Sequence, residues 1–137
     1  YVLAYGPDGN ARVSLTQQDV RELQLASGAI RAGIEAMLHK DGLSARELDS
    51  ILLAGGFGNY IRRESALRIG LLPPLHFQTI RFIGNASLTG AKRALLSQTE
   101  LARAQALRAR CVHVELASEP SFTDLFMEHM LFPEEVV

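Results

Sequence analysis

Two short runs of β-prone residues open the chain, at residues 1–5 and 11–15. Between them stands Gly6-Pro7-Asp8-Gly9-Asn10, a cluster of turn formers, which predicts a β-hairpin. The apolar positions then change period. Val20, Leu23, Ile30, Ile34, Met37 and Leu38 recur at helical spacing, which predicts a long helix over about residues 17–40. Thr16 stands where an N-cap belongs, with Asp19 in the first turn and Gly42 as the stop. Gly28, Ala29, Ala32 and Gly33 lie in the middle of this helix. Each glycine costs roughly 1 kcal/mol there relative to alanine. Close approach of another element, or room for a ligand, would account for them.

Ser44 and Glu47 form a capping-box pair that opens a short turn. Residues 50–54, Ser-Ile-Leu-Leu-Ala, are nearly continuously apolar and suit a strand buried on both faces of a sheet. A helix follows at about residues 63–69, stopped by Gly70 and Pro73-Pro74. A further strand is expected at 79–83, then a helix through Ser97 and a second helical stretch at about 100–109. Residues 111–116 alternate like an edge strand. Pro120 opens a last amphipathic helix with Phe122, Leu125, Phe126 and Met130 on one face, a stripe read as core. Hairpin, helix, strand, helix, strand, helix implies an α/β architecture, a mixed sheet with helices packed on it.

The composition is 47% hydrophobic and 21% charged, within the globular range. The length fits one domain, able to bury roughly two-thirds of its unfolded surface. A net charge of −1 offers no global field toward nucleic acid or anionic lipid, so neither is an expected partner. No apolar run approaches the roughly 18 residues of a membrane-spanning helix. The one cysteine, Cys111, can form no intramolecular disulfide and cannot hold an iron–sulfur cluster. It reads as a small buried residue, and a cytoplasmic setting is the default. His39, His76, His113 and His129 are scattered without metal-ligand spacing, so no metal site is expected. Arg62, Arg63 and Arg68 read as a solvated helix face.

Two motifs could carry chemistry. In Leu53-Ala54-Gly55-Gly56-Phe57-Gly58-Asn59 a strand ends in three glycines within four residues before a helix begins. Glycines let backbone approach a flat or anionic ligand, and ligands of α/β sheets bind at the carboxyl ends of strands. A tight turn without a ligand is the alternative. In Ile83-Gly84-Asn85-Ala86-Ser87-Leu88-Thr89-Gly90-Ala91 a second strand meets a helix through Gly-Asn. This is not a phosphate-binding P-loop, because five residues separate the glycines and Ala91 stands where a lysine belongs. A capped helix packing on the sheet is the simpler reading here.

Several stretches together resemble one family. They are residues 17–26 and 28–34, Ala54 to Ile61, Ile69-Gly70-Leu71-Leu72-Pro73, Phe82 to Ala91 and the closing Phe132-Pro133. In that order, over nearly the whole chain, they resemble the C-terminal region of ATP-dependent reductive activators of corrinoid iron–sulfur proteins and methyltransferases. The resemblance implies a ribonuclease H-like, actin-like ATPase lobe. Residues 1–137 would be its truncated C-terminal part, within a longer protein. Gly55, Gly56, Phe57, Gly58 and Asn59 would contact the adenosine of ATP, with Gly84 and Asn85 nearby at the lobe interface. The hairpin aligns with the second and third strands of the lobe, so the first strand, its phosphate turn and the catalytic acid would lie elsewhere. No catalytic residue is expected within the chain. The parent would bind ATP and Mg and carry a [2Fe-2S] ferredoxin module, and would pass an electron to an inactive Co(II) corrinoid. Expected partners are a corrinoid protein or corrinoid methyltransferase component, the rest of the same polypeptide, or a second copy. A non-catalytic docking or dimerisation module, or an activator of a dehydratase system, are the alternatives.

Overall fold

The computed structural model describes residues 1–56 and 60–134. Strands β1 (Val2–Tyr5) and β2 (Ala11–Ser14) pair antiparallel around the predicted turn, with two irregularities in register. Helix α1 (Gln17–Lys40) begins at a reciprocal cap. The Thr16 hydroxyl accepts from the Asp19 amide at 3.2 Å, and the Asp19 carboxylate accepts from the Thr16 amide at 2.7 Å. The Thr16 hydroxyl also donates to the Asp19 carboxylate at 2.7 Å; that bond first, and the Thr16 amide second, hold the Asp19 carboxyl below its usual pKa. The helix ends in a Schellman motif. Gly42, at φ +70°, donates to the His39 carbonyl and Leu43 donates to the Leu38 carbonyl.

After a 3-10 turn at Ala45–Glu47 come β3 (Ile51–Ala54), α2 (Arg63–Arg68) and a further 3-10 turn at Phe77–Thr79. They are followed by β4 (Ile80–Gly84), α3 (Ala86–Leu96), α4 (Gln98–Arg108), a 3-10 turn at Leu116–Ser118 and α5 (Phe122–His129). Strands β3 and β4 pair in parallel, with Ile51 opposite Ile80 and Leu53 opposite Phe82. The described residues therefore form two separate two-stranded sheets rather than one continuous sheet.

The core is small. Ala66, Leu72 and Ile80 are buried together, and Ile34, Ile51, Leu53, Ile61, Leu67 and Leu71 pack around them. It joins α1, α2 and one face of the β3–β4 sheet. The main helix contact is α1 against α5. A Cβ on Gly28 would lie 3.1 Å from the Met130 amide nitrogen and 3.2 Å from His129 backbone atoms. Close approach is thus why the glycine is there. Phe122 and Phe126 stack with centroids 6.3 Å apart, and the predicted stripe of α5 is half-buried rather than buried in the core.

Five expectations are corrected. Strand β3 is covered on one face only; Leu52 is 55% exposed, because no described element lies over the second face. Helix α1 buries its small-residue face with Ser27, Gly28, Arg31, Ala32 and Ala36, while Leu23, Ile30 and Met37 stay exposed. Periodicity alone does not say which stripe meets a neighbour. Residues 111–115 form no strand, since no open strand edge receives them, and Cys111 is exposed, its thiol donating to the Leu107 carbonyl at 3.4 Å. Finally, the chain exposes 10692 Å². That is about half of the roughly 21,800 Å² of an unfolded chain of this mass, so about half is buried, not two-thirds.

Candidate functional site

Parallel pairing brings the two glycine motifs together. Strands β3 and β4 end side by side, and the Gly55 amide donates to the Gly84 carbonyl at 2.8 Å. Gly55 has φ +95° and Gly84 φ +64°, conformations in which a side chain is strained. The register slips at this point, with Ala54 opposite Gly84, so the sheet opens where the two turns begin. Among the described residues, and apart from chain neighbours, no heavy atom lies within 4 Å of where a Cβ would stand at Gly55, Gly56 or Gly84. Backbone therefore borders open space at the carboxyl end of a parallel pair, the place where α/β sheets receive ligands. Gly56 does not take the left-handed conformation, so its lack of a side chain matters for space alone. Phe57, Gly58 and Asn59 lie outside the described residues.

Asn85 is the N-cap of α3. Its Oδ1 accepts from the Leu88 amide at 2.9 Å, and its carbonyl accepts from the Thr89 hydroxyl at 3.0 Å. Its side-chain oxygen is thus committed to the helix, as the simpler sequence reading has it. The rest of the first turn, with the positive end of the helix dipole, favours an anionic or electron-rich group beside Gly84. No titratable side chain occurs among Gly55, Gly56, Gly84 and Asn85. Such a surface can cradle a flat ligand through backbone and shape, but holds no acid or base to move a proton.

Arg63 was not legible as part of this region. Its guanidinium lies 5.2 Å from the centroid of the Phe82 ring, a cation–π contact tying the start of α2 to β4. It thereby fixes the far end of the segment that leaves β3 through Gly55-Gly56. It is half-buried, not part of a solvated face.

A second feature lies away from the glycine turns. A cavity of about 380 Å³ is lined by Arg31, Leu67, Gly70, Leu72, His129 and Phe132, among others. Arg31 donates through Nε and Nη2 to Glu35 Oε1 at 3.0 and 2.7 Å. Burial, and then the neighbouring Arg31 charge, hold the His129 pKa below its usual value. Among the described residues no three His, Cys, Asp or Glu side chains are grouped to hold a metal, and no helix is long and apolar enough to cross a membrane.

Known proteins resemble the whole of this chain. The family described as the C-terminal domain of RACo, the ASKHA domain, matches residues 1–137. The corrinoid activation enzyme RamQ of Eubacterium limosum is 38% identical over 131 residues, covering 96% of this chain and 22% of that protein. A [Co(II) methylated amine-specific corrinoid protein] reductase of Methanosarcina barkeri is 26% identical over 117 residues, 84% of this chain and 22% of that protein. A solved reductive activator for corrinoid, iron-sulfur protein superposes with a TM-score of 0.83 at 32% identity, over 97% of this chain and 22% of that one. The chain thus spans about a fifth of the length of these relatives.

Proposed function

This chain belongs to the C-terminal ASKHA-domain family of corrinoid reductive activators and has its actin-like fold; from that membership we propose that it forms the adenosine side of a nucleotide site in a longer activator. The parent would use ATP to drive an electron from a [2Fe-2S] ferredoxin module into an inactive Co(II) corrinoid protein. One observation carries the nucleotide reading. Two left-handed glycines, Gly55 and Gly84, are joined by a 2.8 Å hydrogen bond at adjacent strand ends, with open space before them. Phe57, Gly58 and Asn59 complete the proposed adenosine contact from the sequence.

The donor sets here agree with that division of labour. The glycine turns fit a purine or ribose, which needs close backbone approach. None of the four described site residues carries a carboxylate for Mg, and Cys111 alone cannot hold the [2Fe-2S] cluster, so both would be held by other parts of the protein. ATP bound at the site would supply the free energy for the uphill electron transfer. The residues of this chain would bind and orient the nucleoside end and shield it from water. The relatives are named for corrinoid proteins, which favours a corrinoid partner over a dehydratase system.

Gly56→Val in the full-length protein is the clean test. Its φ lies outside the left-handed region, and a Cβ there meets no other described residue beyond its chain neighbours, so the substitution should leave stability nearly unchanged in this chain. Nucleotide titration should show affinity weakened at least about tenfold, the scale of one lost close contact or clash. Unchanged affinity would overturn the nucleotide reading, and a lowered melting point beside it would make the turns structural.

A further inference from the structure

The cavity between α1, the turn after α2 and the end of α5 is separate from the glycine turns, since none of Gly55, Gly56, Gly84 and Asn85 lines it. Its volume of about 380 Å³ lies at the lower end of ligand pockets, which run from about 300 to 1,000 Å³. An apolar cavity of roughly 150 Å³ already holds one benzene ring. Leu67, Leu72, Leu131 and Phe132 give this one apolar walls, and Arg31 and His129 supply polar groups to the same lining.

Both polar groups hold unused hydrogen-bonding capacity. Arg31 is 9% exposed, and Glu35 engages only its Nε and Nη2. The two N–H groups of Nη1 make no hydrogen bond among the described residues, and neither does the His129 ring. Among the described residues no enclosed side-chain nitrogen or oxygen lacks a partner, so these atoms reach open space. The cavity is the space that both residues border. A nearly buried donor left without an acceptor is costly, which favours occupation of the cavity by a group that accepts from it.

The charges select the class of ligand. Glu35 already neutralises Arg31, and Glu128 adds a carboxylate to the lining, so a further anion is disfavoured there. Burial and the Arg31 charge keep His129 neutral near pH 7, with one ring nitrogen donating and the other accepting. A fixed donor and a neutral imidazole on one apolar cavity complement a primary carboxamide. Its oxygen accepts from Arg31 Nη1, and its NH2 group donates to the imidazole. The apolar walls take the body that carries it. We propose that this cavity is a binding site for a small, neutral primary carboxamide on a flat apolar body.

Ligand-observed NMR titration of the full-length protein with benzamide, benzoate and toluene separates the classes. Benzamide should bind at least about tenfold tighter than either of the others, the scale of one or two hydrogen bonds. Saturating ATP should leave its affinity unchanged. Arg31→Lys keeps a cation beside Glu35 but removes the free fork nitrogen, and should cut benzamide affinity at least about tenfold, to the toluene value. His129→Leu removes the acceptor without touching the Arg31–Glu35 pair. It should have the same effect, and it serves where the first variant fails to fold. Four results overturn the proposal: no benzamide binding to the wild type, benzoate or toluene bound as tightly as benzamide, benzamide displaced by ATP, or folded variants that bind benzamide as the wild type does.

Discussion

Helices α1 and α3 each carry a glycine in mid-helix, and the two positions could hardly differ more. Gly28 of α1 sits against the backbone of His129 and Met130, where a methyl group would be 3.1–3.2 Å from atoms that cannot step aside. Gly90 of α3 faces nothing within 4 Å among the described residues. The same contrast runs through the surroundings. The α1–α5 region has buried small residues and a nearly buried ion pair; the α3–α4 arm has exposed leucines and loose surface pairs. Sequence composition is similar enough that neither looks more helical than the other. What differs is whether a second element covers the helix, and most helical stability comes from such packing.

The largest effect that would sharpen this contrast is expected at Glu35. Arg31 and Glu35 are only 11% and 15% exposed at the side chain. Glu35→Ala should leave a nearly buried guanidinium without its partner and cost about 3 kcal/mol in urea denaturation of the full-length protein. Arg103→Ala in the exposed arm pair should cost under about 0.5 kcal/mol by the same measurement. Comparable losses at both sites would break the comparison.

Gly28→Val comes next, at about 2 kcal/mol of destabilisation, because overpacking is added to a position closed by backbone. Its measured cost in thermal unfolding should exceed that of Gly33→Ala. The added methyl at Gly33 would meet only the Leu116 side chain at 3.2 Å, and that side chain can rotate away.

A pH effect should also separate the regions. Burial holds the folded-state pKa of His129 below its unfolded value. The sign follows from proton binding. On acidification the unfolded state takes up the proton first, so stability present above the unfolded value is lost as pH falls through the depressed one. Stability of the α1–α5 region should therefore fall below about pH 6.5. His129→Gln should flatten that slope; an unchanged slope would assign it to other groups.

The smallest effect is Gly90→Ala, which in open space should stabilise α3 by roughly 0.5–1 kcal/mol. A loss of stability in the full-length protein would instead place another segment against Gly90 and erase the difference from Gly28. Separately, the 137-residue chain alone should show no ATP turnover in a phosphate-release assay, since none of the described site residues is an acid or base.

Local chemistry was readable along the chain. The hairpin turn, the Thr16–Asp19 cap, the Gly42 stop, the Asn85 cap and the two strands that end in glycine all depend on residues within a few positions of each other. The glycine motifs were legible for the same reason, because a left-handed conformation at Gly55 and Gly84 is demanded by the turn itself. That the two turns share a hydrogen bond was not legible in spacing, since parallel pairing across α2 joins them. Arg63 over Phe82 was hidden likewise.

What the residues by themselves determined is therefore where each element starts, stops and bends, because backbone hydrogen bonds, caps and φ preferences are settled within about one turn. Only the tertiary arrangement decided which stripe of α1 is buried, that β3 is covered on one face, and that Cys111, Leu95 and Leu96 are exposed. Burial is a property of pairs of surfaces. A leucine carries the same free energy of transfer wherever it stands in a sequence, and whether that energy is realised depends on what the rest of the polypeptide places against it.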